Sequence, residues 1–414
     1  MRVDDVLAVP GRTGFFTDDQ AAIRAGAAHD GFGYLGAPLT PGFTGIRQPG
    51  EALSVMLLLD DGTVVHGDCA AVQYSGAGGR DPVFSAADAA VAVAEYVAPR
   101  LRGRELSGFR EEAALIEAIE TPTGALHTAV RYGVSQALLG AVAHAHRLTM
   151  AELVRDEYGT GVELRAVPLY AQTGDDRYLN AEKMIAKRVD VLPHALINTP
   201  EKLGERGEAL AEYLAWLVGR IGQLRPDESY RPRIHVDTYG TVGLAFGGDI
   251  DAVAEYLDGL GRLCAPYELT VEHPIDAGAR DAQITLYVQL RAALRSRGAT
   301  VKIAVDEWCN TLDDIRLFVE AGAADVIHVK TPDLGGVNNT IEALLLAREA
   351  GLEAYCGGTC NETDRSAQIS AHIAMACAAS QVLAKPGMGV DEGLMIVGNE
   401  MARTAALAGA RQRL

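Results

Sequence analysis

The chain has 414 residues, 48% hydrophobic and 22% charged, with a formal net charge of −18. That is the profile of a globular protein with more than one small domain's core. The acidic balance, with no basic stripe or tail, excludes a nucleic-acid partner. No apolar run is long enough to span a bilayer and no charged leader precedes one, so no membrane partner is expected and a soluble cytoplasmic protein is.

In chain order, GEALSVMLLLDDGTVVHGDCAAVQYSGAGG holds two strand-like runs joined by Asp60-Asp61-Gly62-Thr63, which predicts a hairpin. Helical periodicity follows in DPVFSAADAAVAVAEYVAPRL, EEAALIEAIE and LHTAVRYGVSQALLGAVAHAHRL. Strands and then helices predict an α+β domain over residues 1–160. Beyond it the pattern alternates. Apolar strand windows lie at 166–173, 189–197, 233–238, 269–274, 300–307, 326–330, 352–358 and 381–387. Amphipathic stretches such as NTPEKLGERGEALAEYLAWLVGRIG and TLDDIRLFVEAGA separate several of them. Eight strands over residues 161–414 predict an α/β fold of the (β/α)8 TIM-barrel type, with the first domain as its cap. An open doubly wound sheet is the alternative, but no GxGxxG opens a first strand-to-helix turn. The six cysteines form no CxxC pair and are expected as free thiols.

In such barrels chemistry sits where strands end. Asp237 in RIHVDTYG, Glu272 in LTVEHP and Asp306 in KIAVDEW each end a predicted strand, at spacings of 35 and 34 residues. Each alone is an ordinary helix cap or loop residue. Together they would converge on one rim and repel unless a cation joined them, most naturally Mg²⁺. Lys330 ends the next strand, in a chain with only six lysines. His194 ends the second barrel strand. Strand parity puts His194 on a face with Leu192 and Leu196, and Lys330 on one with His328 and Val326. If those faces point inward, an amine and an imidazole flank the metal. Burial and the cation would then depress the lysine pKa and make Lys330 a general base. Lys302, four residues before Asp306, is read instead as an ion pair at the lower end of the barrel. A metal beside a base suits abstraction of a proton next to a carboxylate.

QYSGAGGRDP, VDVLPHALIN, KIAVDEWCNT, VKTPDLGGVNN, AYCGGTCNETDRSA and VLAKPGMGVDEG carry a closer likeness. The chain resembles the enolase superfamily and, within it, the methylaspartate ammonia-lyases. The resemblance implies elimination of ammonia from L-threo-3-methylaspartate to give mesaconate. It implies Asp237, Glu272 and Asp306 as Mg²⁺ ligands, Lys330 as the base for C3, and His194 on the opposite face. Gln172, Thr359 and Cys360 match substrate contacts, and Gln73 would reach in from the capping domain, whose glycine-rich loop would cover the mouth. Leu383 and Met388 are candidates to line a pocket for the methyl group, or simply barrel core. A monovalent cation such as K⁺, a homodimer and a role in glutamate degradation are further implications. His328 departs from the pattern: two residues before the base the family often has Gln, which never ionises. That affects the expected substrate contact and the pH profile. Another lyase, dehydratase or racemase of the superfamily, and a silent dicarboxylate-binding barrel, are the alternatives.

Overall fold

A computed structural model describes residues 1–411 and 413. The predicted hairpin forms: Arg47–Leu59 and Val64–Cys69 pair antiparallel. Asp61 receives the Thr63 N–H at 2.9 Å and Gly62 takes φ 86° at the turn. A long strand unseen in the sequence, Val3–Asp18, pairs with Arg47–Leu59 and forms the sheet edge. Pro10 and Gly11 break its alternation, and an edge is where a strand tolerates proline. The helix Thr128–Ala145 is buried along most of its length and packs on this sheet. The approach is close enough that a Cβ on Gly133 would strike Cys69 and one on Gly67 would strike the Gly133 carbonyl.

Each of the eight barrel strands falls in its predicted window. In order they are Leu169–Tyr170, Val191–His194, Arg233–Asp237, Leu269–Glu272, Lys302–Val305, Val326–Val329, Glu353–Cys356 and Val382–Leu383. They close into a parallel ring, the eighth pairing with the first. Tyr170, Val191, Ala304, Val326, Tyr355 and Leu383 form a buried apolar cluster of their own, distinct from the core that the helices share. The lower end is tied by Lys302, which donates to Glu268 at 2.8 Å and to Glu353 at 2.5 Å, as its position suggested. One predicted helical stretch divides: Pro200–Leu203 and Glu208–Leu224 are separate helices. Between them Gly204 and Gly207 take φ 91° and 85°, a conformation no helix interior accepts.

Candidate active site

Asp237 and Glu272 are the last residues of neighbouring strands and lie directly opposite in register. Glu272 pairs with Ala304, so Asp306 stands two residues higher on the next strand. All three are buried. Glu272 lies deepest: His235 Nε2 is 2.8 Å from its Oε2, and Tyr355 OH donates to both oxygens at 2.9 and 2.8 Å. Burial alone would raise its pKa, but the His328 and His235 imidazoles outweigh that and hold it well below the usual carboxylate range. Asp237 goes the other way, pushed up by burial and by the charges of Glu272 and Asp306. A carboxylate oxygen from each of Glu272 and Asp306 and a nitrogen of His328 lie within 4.8 Å of one another, a set that could hold a metal ion. Asp237 stands outside it, with its Oδ2 3.6 Å from His194 Nε2.

The residues fit a hard divalent ion. The carboxylates supply oxygen donors, and the buried Asp306 Oδ1 has ion-pair neighbours but no hydrogen bond of good geometry. His328 offers nitrogen less readily. The Gly358 N–H points at its Nε2 at 3.2 Å, which places the ring proton on Nδ1. Nδ1 then donates to Glu272 Oε1 at 2.7 Å, with Asp306 Oδ1 3.2 Å away. Burial lowers the pKa of His328, and the two carboxylates more than reverse it.

Lys330 and His194 belong to the sixth and second strands, so half the ring separates them. Lys330 Nζ lies 2.7 Å from Asp306 Oδ1. Burial pulls its pKa down and Asp306 at contact distance raises it above the usual lysine value, while the expected lowering also counted the charge of a bound cation. His194 is brought down to about 4, chiefly by burial, so its imidazole is neutral at physiological pH. It reaches the cavity by a route that parity did not foresee. Val191, not Leu192, belongs to the inner cluster. His194, Ala195 and Leu196 take φ 64°, 69° and 49°, so strand alternation has ended where His194 turns inward.

The cavity above the carboxylates encloses about 50 Å³. Its wall includes Gln73, Gln172, His194, Asp237, Asp306, His328, Lys330, Thr359, Cys360, Leu383 and Met388, while Glu272 lies beneath. Gln73 crosses from the N-terminal sheet. It donates to Asp18 at 2.7 Å, its N–H reaches Thr359 Oγ1 at 3.4 Å, and its Oε1 accepts from the Cys360 thiol at 3.4 Å. Gln172 donates to the Gly387 carbonyl at 3.3 Å.

Sequence reasoning missed three groups here. Arg80 was quoted within a motif but given no role, and its guanidinium forms part of the wall. His235 and Tyr355 grip Glu272 from inside the barrel. Lys385, fully buried, donates to Glu362 at 2.8 Å, Thr331 at 3.0 Å and the Gly357 carbonyl at 2.7 Å. A lysine between two apolar strand residues and a proline was the available signal.

The architecture defines the class: a closed parallel α/β barrel beneath an antiparallel sheet and helices, with an acidic, histidine-lined cavity at the strand ends. Two family profiles match, "Methylaspartate ammonia-lyase N-terminus" over residues 1–159 and "Methylaspartate ammonia-lyase C-terminus" over 161–410. The methylaspartate ammonia-lyase of Clostridium tetanomorphum is 53% identical over 413 residues, covering 100% of both chains. A crystal structure of the β-methylaspartase from that organism, as a Mg complex, superposes with a TM-score of 0.95 at 53% identity, covering 99% of this chain and 100% of the other. The Citrobacter amalonaticus methylaspartate ammonia lyase containing (2S,3S)-3-methylaspartic acid gives 0.97 at 48% identity over 99% of this chain and 100% of that one. The muconate lactonizing enzyme of Pseudomonas fluorescens, at 19% identity and a TM-score of 0.61 over 90% of this chain and 84% of its own, shares the fold alone. This chain belongs to the methylaspartate ammonia-lyase family.

Proposed function

We propose that this chain is a Mg²⁺-dependent carbon–nitrogen lyase that removes ammonia from L-threo-3-methylaspartate to give mesaconate. The observation that carries the reading is the placement of Lys330 and His194 half a ring apart across Asp237, Glu272 and Asp306. A Mg²⁺ ion held by these three carboxylates would draw charge from the substrate carboxylate next to C3, make the C3 proton removable, and offset the attraction between Asp306 and Lys330. Lys330 takes that proton. The C3–H electrons become the C2=C3 double bond, the C2–N bond breaks, and ammonia departs with its electron pair. His194, neutral and facing the opposite side, is placed to serve the other C3 epimer. Gln73, Gln172, Thr359, Cys360 and His328 bind and orient the carboxylates, and Leu383 with Met388 receives the methyl group. The Mg complex and the 3-methylaspartic acid in the two relatives support the choice of ion and substrate.

Finer features extend this reading from the family likeness: a homodimer in the cytoplasm, a monovalent cation such as K⁺, and a place in glutamate degradation. No helix among the described residues is long and apolar enough to cross a membrane. The test is ultraviolet absorbance of the conjugated diacid formed from L-threo-3-methylaspartate with Mg²⁺. Absorbance should rise, stop with excess chelator, and vanish in Lys330→Ala. A Lys330→Ala protein with full activity would overturn the assignment of the base and call for a differently catalysed elimination.

A further inference from the structure

The loop between the N-terminal sheet and its first long helix holds a feature that the reaction above leaves unused. Gly76, Gly78 and Gly79 take φ 73°, 62° and 82°, which lets residues 74–82 turn tightly. The base of the loop is fixed to its own side. Gly76 N–H donates to the Asp81 carbonyl at 2.8 Å, and the Asp81 side chain accepts the Thr128 N–H at 2.7 Å. The tip is fixed to the barrel. The Arg80 side chain is only 3% exposed, and its guanidinium spans two carboxylates of different βα loops. Its Nη2 lies 2.7 Å from Glu307 Oε2, and its Nε donates to Asp333 Oδ2 at 2.7 Å. Asn310 Nδ2 adds a bond to the Gly78 carbonyl at 2.7 Å.

Glu307 follows Asp306 directly, and the Asp333 N–H donates to the Lys330 carbonyl at 3.0 Å. One buried cation from the cap therefore joins the backbone segments that carry Asp306 and Lys330. It also balances the charges of Glu307 and Asp333, each of which it meets at 2.7 Å. Without it those two carboxylates would be buried and uncompensated, and would compete with Asp306 for the ammonium.

We propose that Arg80 is a positioning residue whose fork couples seating of the 74–82 loop to the aim of Lys330. Lysine cannot replace it, because a single ammonium does not reach two carboxylates from the separate nitrogens of one rigid plane. The proposal rests on the lyase reading for its kinetic arm and stands alone for its structural arm.

The experiment uses the full-length protein with Mg²⁺, comparing wild type, Arg80→Lys and Arg80→Ala. Steady-state kinetics with L-threo-3-methylaspartate are paired with hydrogen–deuterium exchange. The expected result is a kcat loss of about 100-fold in both variants, the scale of a misaimed catalytic group. Faster exchange should be confined to residues 74–82 and the segments around Glu307 and Asp333. Added guanidinium at low millimolar concentration should restore part of kcat in Arg80→Ala, where urea should not, because only the cation can bridge the vacated carboxylates. A kcat within threefold of wild type, or loop exchange unchanged in both variants, overturns the proposal. Global loss of exchange protection would assign Arg80 to stability alone and also overturn it. Wild type inactive on the substrate would defeat the lyase reading and leave the exchange comparison to decide the clamp.

Discussion

Lys385→Met tests the buried ion pair that supports the seventh and eighth strand loops. Lys385 and Glu362 side chains are both 0% exposed and meet at 2.8 Å. Breaking a buried pair costs roughly 3–5 kcal/mol, because the surviving charge is left uncompensated. Here the stranded carboxylate keeps other donors: Tyr132 OH at 2.8 Å, the Thr359 N–H at 3.1 Å and Thr331 OH at 3.3 Å. Bonds to a charged group contribute roughly 1.5–3 kcal/mol each, so the loss should fall at the lower end, about 3 kcal/mol. The double variant Lys385→Met with Glu362→Gln leaves no charge behind and should cost only about 1–2 kcal/mol. Urea unfolding of wild type, both single variants and the double variant, followed by near-ultraviolet circular dichroism, measures the coupling. A single variant within 1 kcal/mol of wild type, or a double variant costing the full sum of the singles, would refute this account of the pair.

Asp306→Asn should weaken Mg²⁺ binding by more than about 100-fold, beyond the 10–100-fold typical of a lost supporting bond to a ligand; titration calorimetry reads this directly. His328→Gln should keep most of the activity, because an amide can still donate toward Glu272 and accept the Gly358 N–H. It should remove an acid limb from the pH–rate profile, since the carboxylates raise the imidazole's pKa and a second proton on falling pH would displace the Gly358 bond; an unchanged profile would absolve His328. Glu400 is held at about 2, first by its hydrogen bond from His372 and, against burial, by Arg403. A depressed carboxylate stabilises the fold above its unfolded pKa of about 4.5 and ceases to do so as pH falls through about 2. Glu400→Gln should therefore cost about 1–2 kcal/mol at neutral pH, allowing for solvent at its exposed edge, and nothing below pH 2 in acid-unfolding curves.

The barrel was legible because each buried parallel strand is a short apolar run, and the charged residues at the strand ends, ordinary one by one, recur in step with the strands. Asp237, Glu272, Asp306 and Lys330 recur at about one βα unit, so topology alone carries them to a common rim. The edge strand Val3–Asp18 gave no such signal, since only four of its 16 residues are buried and Pro10 and Gly11 interrupt the period. Parity failed at His194 for a related reason. It assumes extended backbone, and the chain is left-handed from that residue to Leu196.

What remained hidden is a different kind of information. Tyr132 and Glu362 are 230 residues apart, and Arg80 is 253 residues from Asp333. Such contacts leave no period in the sequence. Their trace is a polar residue where burial is expected, as with Lys385 in VLAKPG, and its partner cannot be named before the fold is known. The partition has a chemical consequence. The residues assigned to proton transfer and metal binding sit on rigid strand ends and could be read in order. Those that tie the surrounding loops, Arg80 from the cap and Lys385 just beyond the eighth strand, act between elements that only the closed fold brings together. Substitutions that spare every strand-end residue should therefore still reach the chemistry, through the loops that Arg80 and Glu362 hold.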